Sequence, residues 1–257
     1  MKNKYLKAVI DWCNLLKIAR IRRRSPQAYF NFEKYQGKLL VEYLRNKGVF
    51  INNTILLDVG SGIGGYDSSF SEEGAKVYTL DLDVPLVFIP SKCHVIGNAL
   101  RLPYPNDCFD VVVCSSLIEH VQSPELLLKE ILRVIKQNGF LYLSFPPFYS
   151  PIGGHHFSPF HWFGDKIAVR LFMMRKKRHL NAWLRQRGVI ENPKSINDFF
   201  QTWGLYKLSI SKVENILESL PIKIIDVSTR WMPINTTKIP FLREFITWHV
   251  QFLAKKR

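Results

Sequence analysis

The stretch Thr54-Ile55-Leu56-Leu57-Asp58-Val59-Gly60-Ser61-Gly62-Ile63-Gly64-Gly65 decides how the fold is read. It is a short apolar run that ends in a glycine-rich turn, where the chain can bend sharply and bring backbone N–H groups close to a ligand. Downstream the same unit recurs. Strands are predicted over Ile55–Val59, Lys76–Leu80, His94–Ile96, Phe109–Cys114 and Phe140–Phe145, with amphipathic segments between them. The clearest of these is a helix over Pro124–Lys136, with Leu126, Leu127, Ile131, Leu132 and Ile135 on one face. Strands separated by helices imply parallel pairing, so the expected class is α/β, a doubly wound and mostly parallel sheet with helices on both faces.

Upstream, residues 1–50 read as a basic helical segment, distinct from a domain spanning 51–257. After Phe145 the regularity stops, and about 147–196 reads as an insertion over the ligand-binding face, rich in Pro, Gly, His and aromatics. It becomes basic at Met173-Met174-Arg175-Lys176-Lys177-Arg178-His179. A helix near Ser211–Ser219 and a strand over Ile222–Thr229 resume the pattern. The tail, about 239–254, is expected to be an amphipathic helix with Leu242, Phe245, Ile246, Phe252 and Leu253 on one face.

With 257 residues, 47% of them hydrophobic, the chain is long enough to bury a sizeable core. Lys and Arg outnumber Asp and Glu by 36 to 21, a net charge of +15. That balance suits an anionic partner: nucleic acid, an acidic membrane surface, or a phosphorylated or lipid-linked substrate. Cys13, Cys93, Cys108 and Cys114 form neither a CxxC pair nor a cluster, which favours a reducing, cytoplasmic setting. No stretch reaches the roughly 18–20 apolar residues that span a bilayer. A basic amphipathic tail is nonetheless suited to lying peripherally on the inner, anionic face of a membrane.

The glycine loop alone does not name its ligand. Gly60, Gly62 and Gly65 satisfy the GxGxxG dinucleotide fingerprint, and Asp81, at the end of the second strand, could accept from the ribose of either kind of cofactor. Asp58 breaks the tie, because a carboxylate there repels a pyrophosphate and welcomes a cationic amino-acid moiety. Further on come Gly97-Asn98-Ala99-Leu100-Arg101-Leu102-Pro103, Phe109-Asp110-Val111-Val112-Val113 and Ile118-Glu119-His120-Val121. With these four motifs in order over about residues 54–146, the chain resembles the class I S-adenosylmethionine-dependent methyltransferases, in particular the type 11 domain subgroup, which have a Rossmann-like seven-stranded sheet. The resemblance implies that Gly60, Gly62 and Gly64 line the methionine and ribose portion, with Asp58 near its amino group. It places Asp81 on the ribose diol, Asn98 and Ala99 beside adenine, Leu82 and Leu100 against the purine ring, and Ser115 also in the cofactor site. Relatives usually carry Asp where this chain has Asn98, whose amide can still accept from the adenine amino group.

An alcohol acceptor must lose a proton as it is methylated, and His is the usual base near neutral pH. His120 follows the fourth strand, and His155 and His156 follow the fifth, so all three fall at the sheet edge where ligands bind. They are the candidate catalytic residues. Among aromatics they suit a sugar pocket with a base, although loop packing accounts for them as well. His155, His156, His161 and Asp165 match no known ligand spacing, so no metal is expected. Pro147-Phe148 lies after the wrong strand to be the NPPY motif of nucleic-acid amino-methyltransferases, and no RNA-binding motif accompanies the positive charge. The Pro147–His161 run and the tail resemble members of the family associated with surface-polysaccharide biosynthesis. That resemblance implies O-methylation of a sugar hydroxyl on a surface or lipid-linked glycan. RNA or a small lipophilic or aromatic metabolite is the alternative substrate, and the oligomeric state stays open.

Overall fold

A computed structural model describes residues 2–82, 93–176, 193–199 and 204–257. Part of the expected insertion, including the basic residues 177–179, therefore lies outside the described residues. The elements follow in the order α1 (Lys2–Ile21), α2 (Pro26–Asn46), β1 (Ile55–Val59), α3 (Gly65–Glu72), β2 (Lys76–Asp81), β3 (His94–Ile96), β4 (Phe109–Ser115), α4 (Pro124–Val134), β5 (Ile135–Phe145), α5 (Asp165–Lys176), α6 (Ile210–Glu218), β6 (Ile222–Thr229) and β7 (Val250–Lys256).

β1 and β4 are apolar on both sides because helices cover both faces of the sheet, the usual condition of a central parallel strand. The seven strands run in the order β3-β2-β1-β4-β5-β7-β6. β1 to β5 pair in parallel, and β7 runs antiparallel between β5 and β6. On one face Leu40 and Leu44 of α2 and Phe70 of α3 pack with Leu56, Val111, Val113 and Tyr142. On the other, Leu127, Leu128 and Ile131 of α4 and Val213 and Leu217 of α6 pack with Leu57, Val112, Phe145 and Phe252. The helix ends at Val134 rather than Lys136, so Ile135 opens β5 instead of closing the helical face; Leu126, expected on that face, is exposed, and Leu128 takes its place.

α2 begins at Ser25, whose hydroxyl accepts from Ala28 N, with Pro26 in the first helical position. It lies close against α3: a Cβ on Gly65 would stand 2.3 Å from Glu33 Cβ, and one on Gly37 2.7 Å from Ser69 Oγ. The insertion builds a small core of its own, in which Phe148, Phe157, Ala168, Phe172, Ile196 and Leu205 come together.

The expected C-terminal helix over 239–254 is corrected. Only Arg243–Ile246 forms a helical turn, and Val250–Lys256 is a strand. Val250, Gln251, Phe252, Leu253 and Ala254 are all buried, filling the gap between β5 and β6. A short apolar run buried on both sides looks alike in a strand and in a helix by periodicity alone, and here pairing on two edges decides it. The turn before it is pinned by charge. Glu244 accepts from Ile210 N at 2.8 Å and Ser211 N at 3.0 Å, satisfying orphan donors at the start of α6, while Arg243 pairs with Glu214.

Because Phe252 is buried and stacked on Phe145, with ring planes 3° apart, Phe252→Ala should lose about 3–5 kcal/mol of unfolding free energy in urea titration. Leu242→Ala, on the exposed turn, should change it by less than about 0.5 kcal/mol. Equal effects would contradict the strand assignment.

Candidate active site

The strand order diverges at β1 and β4: the chain moves outward through β2 and β3, then returns to pair β4 on the other side of β1. In such sheets the crevice beyond the carboxyl ends of the diverging strands is where ligands bind. Three connections meet there. They are the glycine loop after β1, the 3-10 turn Ile118–His120 after β4, and the insertion after β5.

The loop needs its glycines. Gly60, Gly62 and Gly64 have φ of +78°, +57° and +83°, a region that side chains other than glycine's enter at a cost. Gly62 N donates to Asp81 Oδ2 at 2.8 Å, tying the loop to the end of β2 and fixing the carboxylate at the mouth. From above, Glu33 of α2 accepts from Gly65 N at 3.3 Å. Below the loop, Asp58 is buried, and its Oδ2 has no hydrogen-bond partner. Burial, with Asp67 and Asp81 nearby, pushes its carboxyl well above the usual carboxylate range. Asp67, in the first turn of α3, is raised to about 7, chiefly by burial, and its Oδ1 is likewise unpartnered.

The other expected cofactor residues sit along the same edge. Leu82 is exposed just past β2, Ala99 is buried and Leu100 half-buried. Asn98 is exposed, and its side-chain oxygen accepts from Leu100 N at 2.9 Å, which leaves a further lone pair for an adenine amino group. Ser115, at the end of β4, accepts a hydrogen bond from Ser144 of β5 at 3.2 Å.

The histidines divide. His120 and His155 meet edge to face, with ring centroids 5.0 Å apart. His120 Nδ1 lies 2.6 Å from Gly204 O, and His155 Nδ1 lies 3.2 Å from Gly153 O. A carbonyl only accepts, so each Nδ1 carries the proton and each Nε2 the lone pair when the ring is neutral. His155 Nε2 is 3.9 Å from Glu119 Oε1. Glu119 is 1% exposed, and neither carboxylate oxygen has a hydrogen-bond partner; burial raises it to about 8. Burial also lowers His155 below the ordinary imidazole range. The backbone of His155 is held at φ +50°, strain of the kind that gathers at functional sites. Donor atoms of Glu119, His120 and His155 lie within 4.8 Å of one another, close enough to consider as metal ligands. His156 stands next in the chain, half-buried, outside this group. His161 is buried edge-on against Phe148, with its ring packed on the backbone of Gly154.

Sequence reasoning assigned no role to the far wall. Arg230 and His249, at the facing ends of β6 and β7, are paired through Arg230 N and His249 O at 2.8 Å. Arg230 donates to Tyr66 Oη and to His249 Nε2, and its guanidinium lies over the Tyr66 and Trp231 rings. Burial and the Arg230 charge hold His249 well below the imidazole range. Only the strand identity of β7 could have placed these two together. Glu119 was legible as part of a motif, but its burial was not.

Residues 57–143 match the family model described as "Methyltransferase domain". The chain is 27% identical over 219 residues to an uncharacterized methyltransferase of Mycobacterium leprae, covering 79% of this chain and 72% of that protein. It is also 27% identical over 178 residues to one of Mycobacteroides abscessus, covering 65% and 68%. Among solved structures, an S-adenosylmethionine-dependent methyltransferase of Mesorhizobium loti superposes with a TM-score of 0.56 at 18% identity, covering 84% of this chain and 96% of that one. A Pyrococcus horikoshii protein gives 0.50 at 16% identity, covering 85% and 86%. At these identities the superpositions speak for the fold. The residues present fit the cofactor: a buried carboxylate with an unpartnered oxygen lies where a cationic amino-acid moiety would be met.

A cation arriving beside Asp58 and Asp67 favours their ionised forms, so binding should release protons. Affinity for S-adenosylhomocysteine, which keeps the ammonium, should rise as pH increases through about 7. Calorimetry in buffers of differing ionisation enthalpy checks this, and Asp58→Asn should flatten the pH dependence. Asp81→Ala should abolish binding.

Proposed function

We propose that the chain, whose residues 57–143 match a methyltransferase domain model and whose relatives are named methyltransferases, uses S-adenosylmethionine to O-methylate a sugar hydroxyl of a surface or lipid-linked glycan, with His155 as the base. The observation that carries this reading is the Glu119–His120–His155 cluster at the carboxyl edge of the sheet. When bound, S-adenosylmethionine supplies a methyl group on a good leaving group, so the protein's task is to align the acceptor oxygen and take its proton.

His155 is suited to that task. Burial keeps it neutral near pH 7, and Nδ1 donating to Gly153 O directs the basic lone pair to Nε2. Glu119 faces that nitrogen, and a proton on His155 favours ionisation of Glu119 beside it. His120, anchored to Gly204 O, packs against the His155 ring and fixes its orientation. Asp58 would hold the ammonium of the cofactor and Asp81 its ribose, so that the acceptor approaches between the glycine loop and the histidine pair. Tyr149 of the insertion is exposed and offers a face on which a sugar ring can stack.

Turnover should fall on the acid side as His155 protonates, below the ordinary imidazole range. His155→Ala should leave S-adenosylhomocysteine affinity within about twofold while lowering kcat by about 10²–10⁴. Glu119→Gln should lower kcat less. Full methylation of a glycan acceptor by His155→Ala would sink the base assignment. Glu119→Gln also has a stability signature. A carboxyl raised from 4.5 to about 8 on folding favours the folded state fully below the unfolded value and loses that contribution as pH rises through about 8. The variant should therefore lose less stability than the parent between pH 5 and 9 in thermal melts.

A further inference from the structure

Aromatic side chains of the insertion and of the segment leading into β7 are left in solvent. Phe241 is 94% exposed, and its backbone sits at φ +61°, where a bulky residue is strained. A soluble surface has no use for a strained loop that holds a phenyl ring in water. Phe163, 64% exposed, and Trp162 come from the insertion, and Phe245 and Trp248 from the segment leading into β7. These two segments are physically joined. The Tyr149 and Phe245 rings lie 5.9 Å apart, Trp162 Nε1 donates to Tyr149 O at 2.8 Å, and Ser150 Oγ donates to Trp248 O at 3.4 Å. Of the two, the insertion segment continues from the turn that delivers His155.

Positive charge lies at the same mouth. Arg23, in the turn after α1, is close enough to His155 for its charge to oppose protonation of that ring. It stands in the run Arg22-Arg23-Arg24, and Arg23 and Arg24 are exposed. Lys166 and Lys238, three residues from Phe163 and Phe241 respectively, are exposed too. Amphipathic aromatic rings beside cations are the chemistry of the interface between acyl chains and anionic headgroups, where tryptophan and phenylalanine insert and lysine and arginine stay with the phosphates. Among the described residues no helix is long and apolar enough to cross a membrane, so attachment would be peripheral.

We propose that this rim seats the enzyme on an anionic bilayer, with Trp162, Phe163, Phe241, Phe245 and Trp248 entering the interface and the catalytic mouth turned towards the lipid surface. This goes beyond the acceptor assignment and is tested without an acceptor. The full chain would be sedimented with phosphatidylcholine vesicles and with vesicles containing 30% phosphatidylglycerol, and tryptophan emission recorded. The expected result is binding to the anionic vesicles only, with a blue shift, weakened at least tenfold by Phe241→Ser combined with Phe163→Ser. The same double variant should keep its melting temperature and its S-adenosylhomocysteine affinity.

Wild-type protein that ignores anionic vesicles would overturn the proposal, as would a double variant that binds them as tightly as the parent. A wild-type dimer that Phe241→Ser dissociates would assign the rim to a second copy of the chain instead. Vesicle binding with a failed His155→Ala test would leave this surface standing and remove only the base assignment.

Discussion

β1 is paired in parallel on both edges, to β2 through Ile55–Val59 and to β4 through Leu56–Val59. That double pairing forces the chain to leave β1 in one direction and return on the other, which opens the crevice between their carboxyl ends. The two strands are apolar on both faces, so a one-residue slip would exchange the contacts each makes with the two helical layers. The register is therefore fixed by the core, and with it the positions of Asp58, the glycine loop and the turn bearing Glu119 and His120. Gly60 shows how tightly these are coupled. A Cβ there would come within 3.1 Å of Leu117, the residue leading into the β4 turn.

What the sequence revealed divides along the same line. The parallel half was legible because its strands are short apolar runs each ending in a turn and its motifs are local: the bounds of β1 and β3 agree to the residue, and β2 and β4 to within one. The antiparallel β7 was not legible as a strand. Val250–Ala254 is buried by neighbours more than twenty residues away in sequence on one side and a hundred on the other, and nothing within the segment announces them. The same cause hid Arg230 and His249, which meet only because β6 and β7 pair. The histidines were legible as residues and as a location. His155 joins Glu119 and His120 with its backbone in the left-handed region, whereas His156 follows it in the same 3-10 turn and His161 lies in the next one.

The site concentrates the features that cost a fold stability. Glu119, Asp58 and Asp67 are carboxyls buried with oxygens left unpartnered, and a buried polar group without a partner is expensive. Away from the site, Asp226 finds Lys47 and Tyr43, and Glu130 finds Arg133 and Leu102 N. The contrast is physical. The unpartnered carboxyls that border the crevice are held ready for a ligand that completes them.

The insertion then becomes part of the site rather than a cover over it. Its outgoing limb carries His155, and its returning limb supplies Gly204 O to His120 and Tyr206 N to Glu119 O at 2.8 Å. Both limbs thus contact the turn after β4. The small core of Phe148, Phe157, Phe172 and Leu205 holds the two limbs together, so its packing sets the distance between His155 and Glu119. A methyl transfer base must keep its position to within a fraction of an ångström, and a separate hydrophobic cluster is what a loop of this length requires to do that. Trp162 and Phe163 of the aromatic rim follow His155 on the outgoing limb, so whatever seats them bears on the geometry of the base.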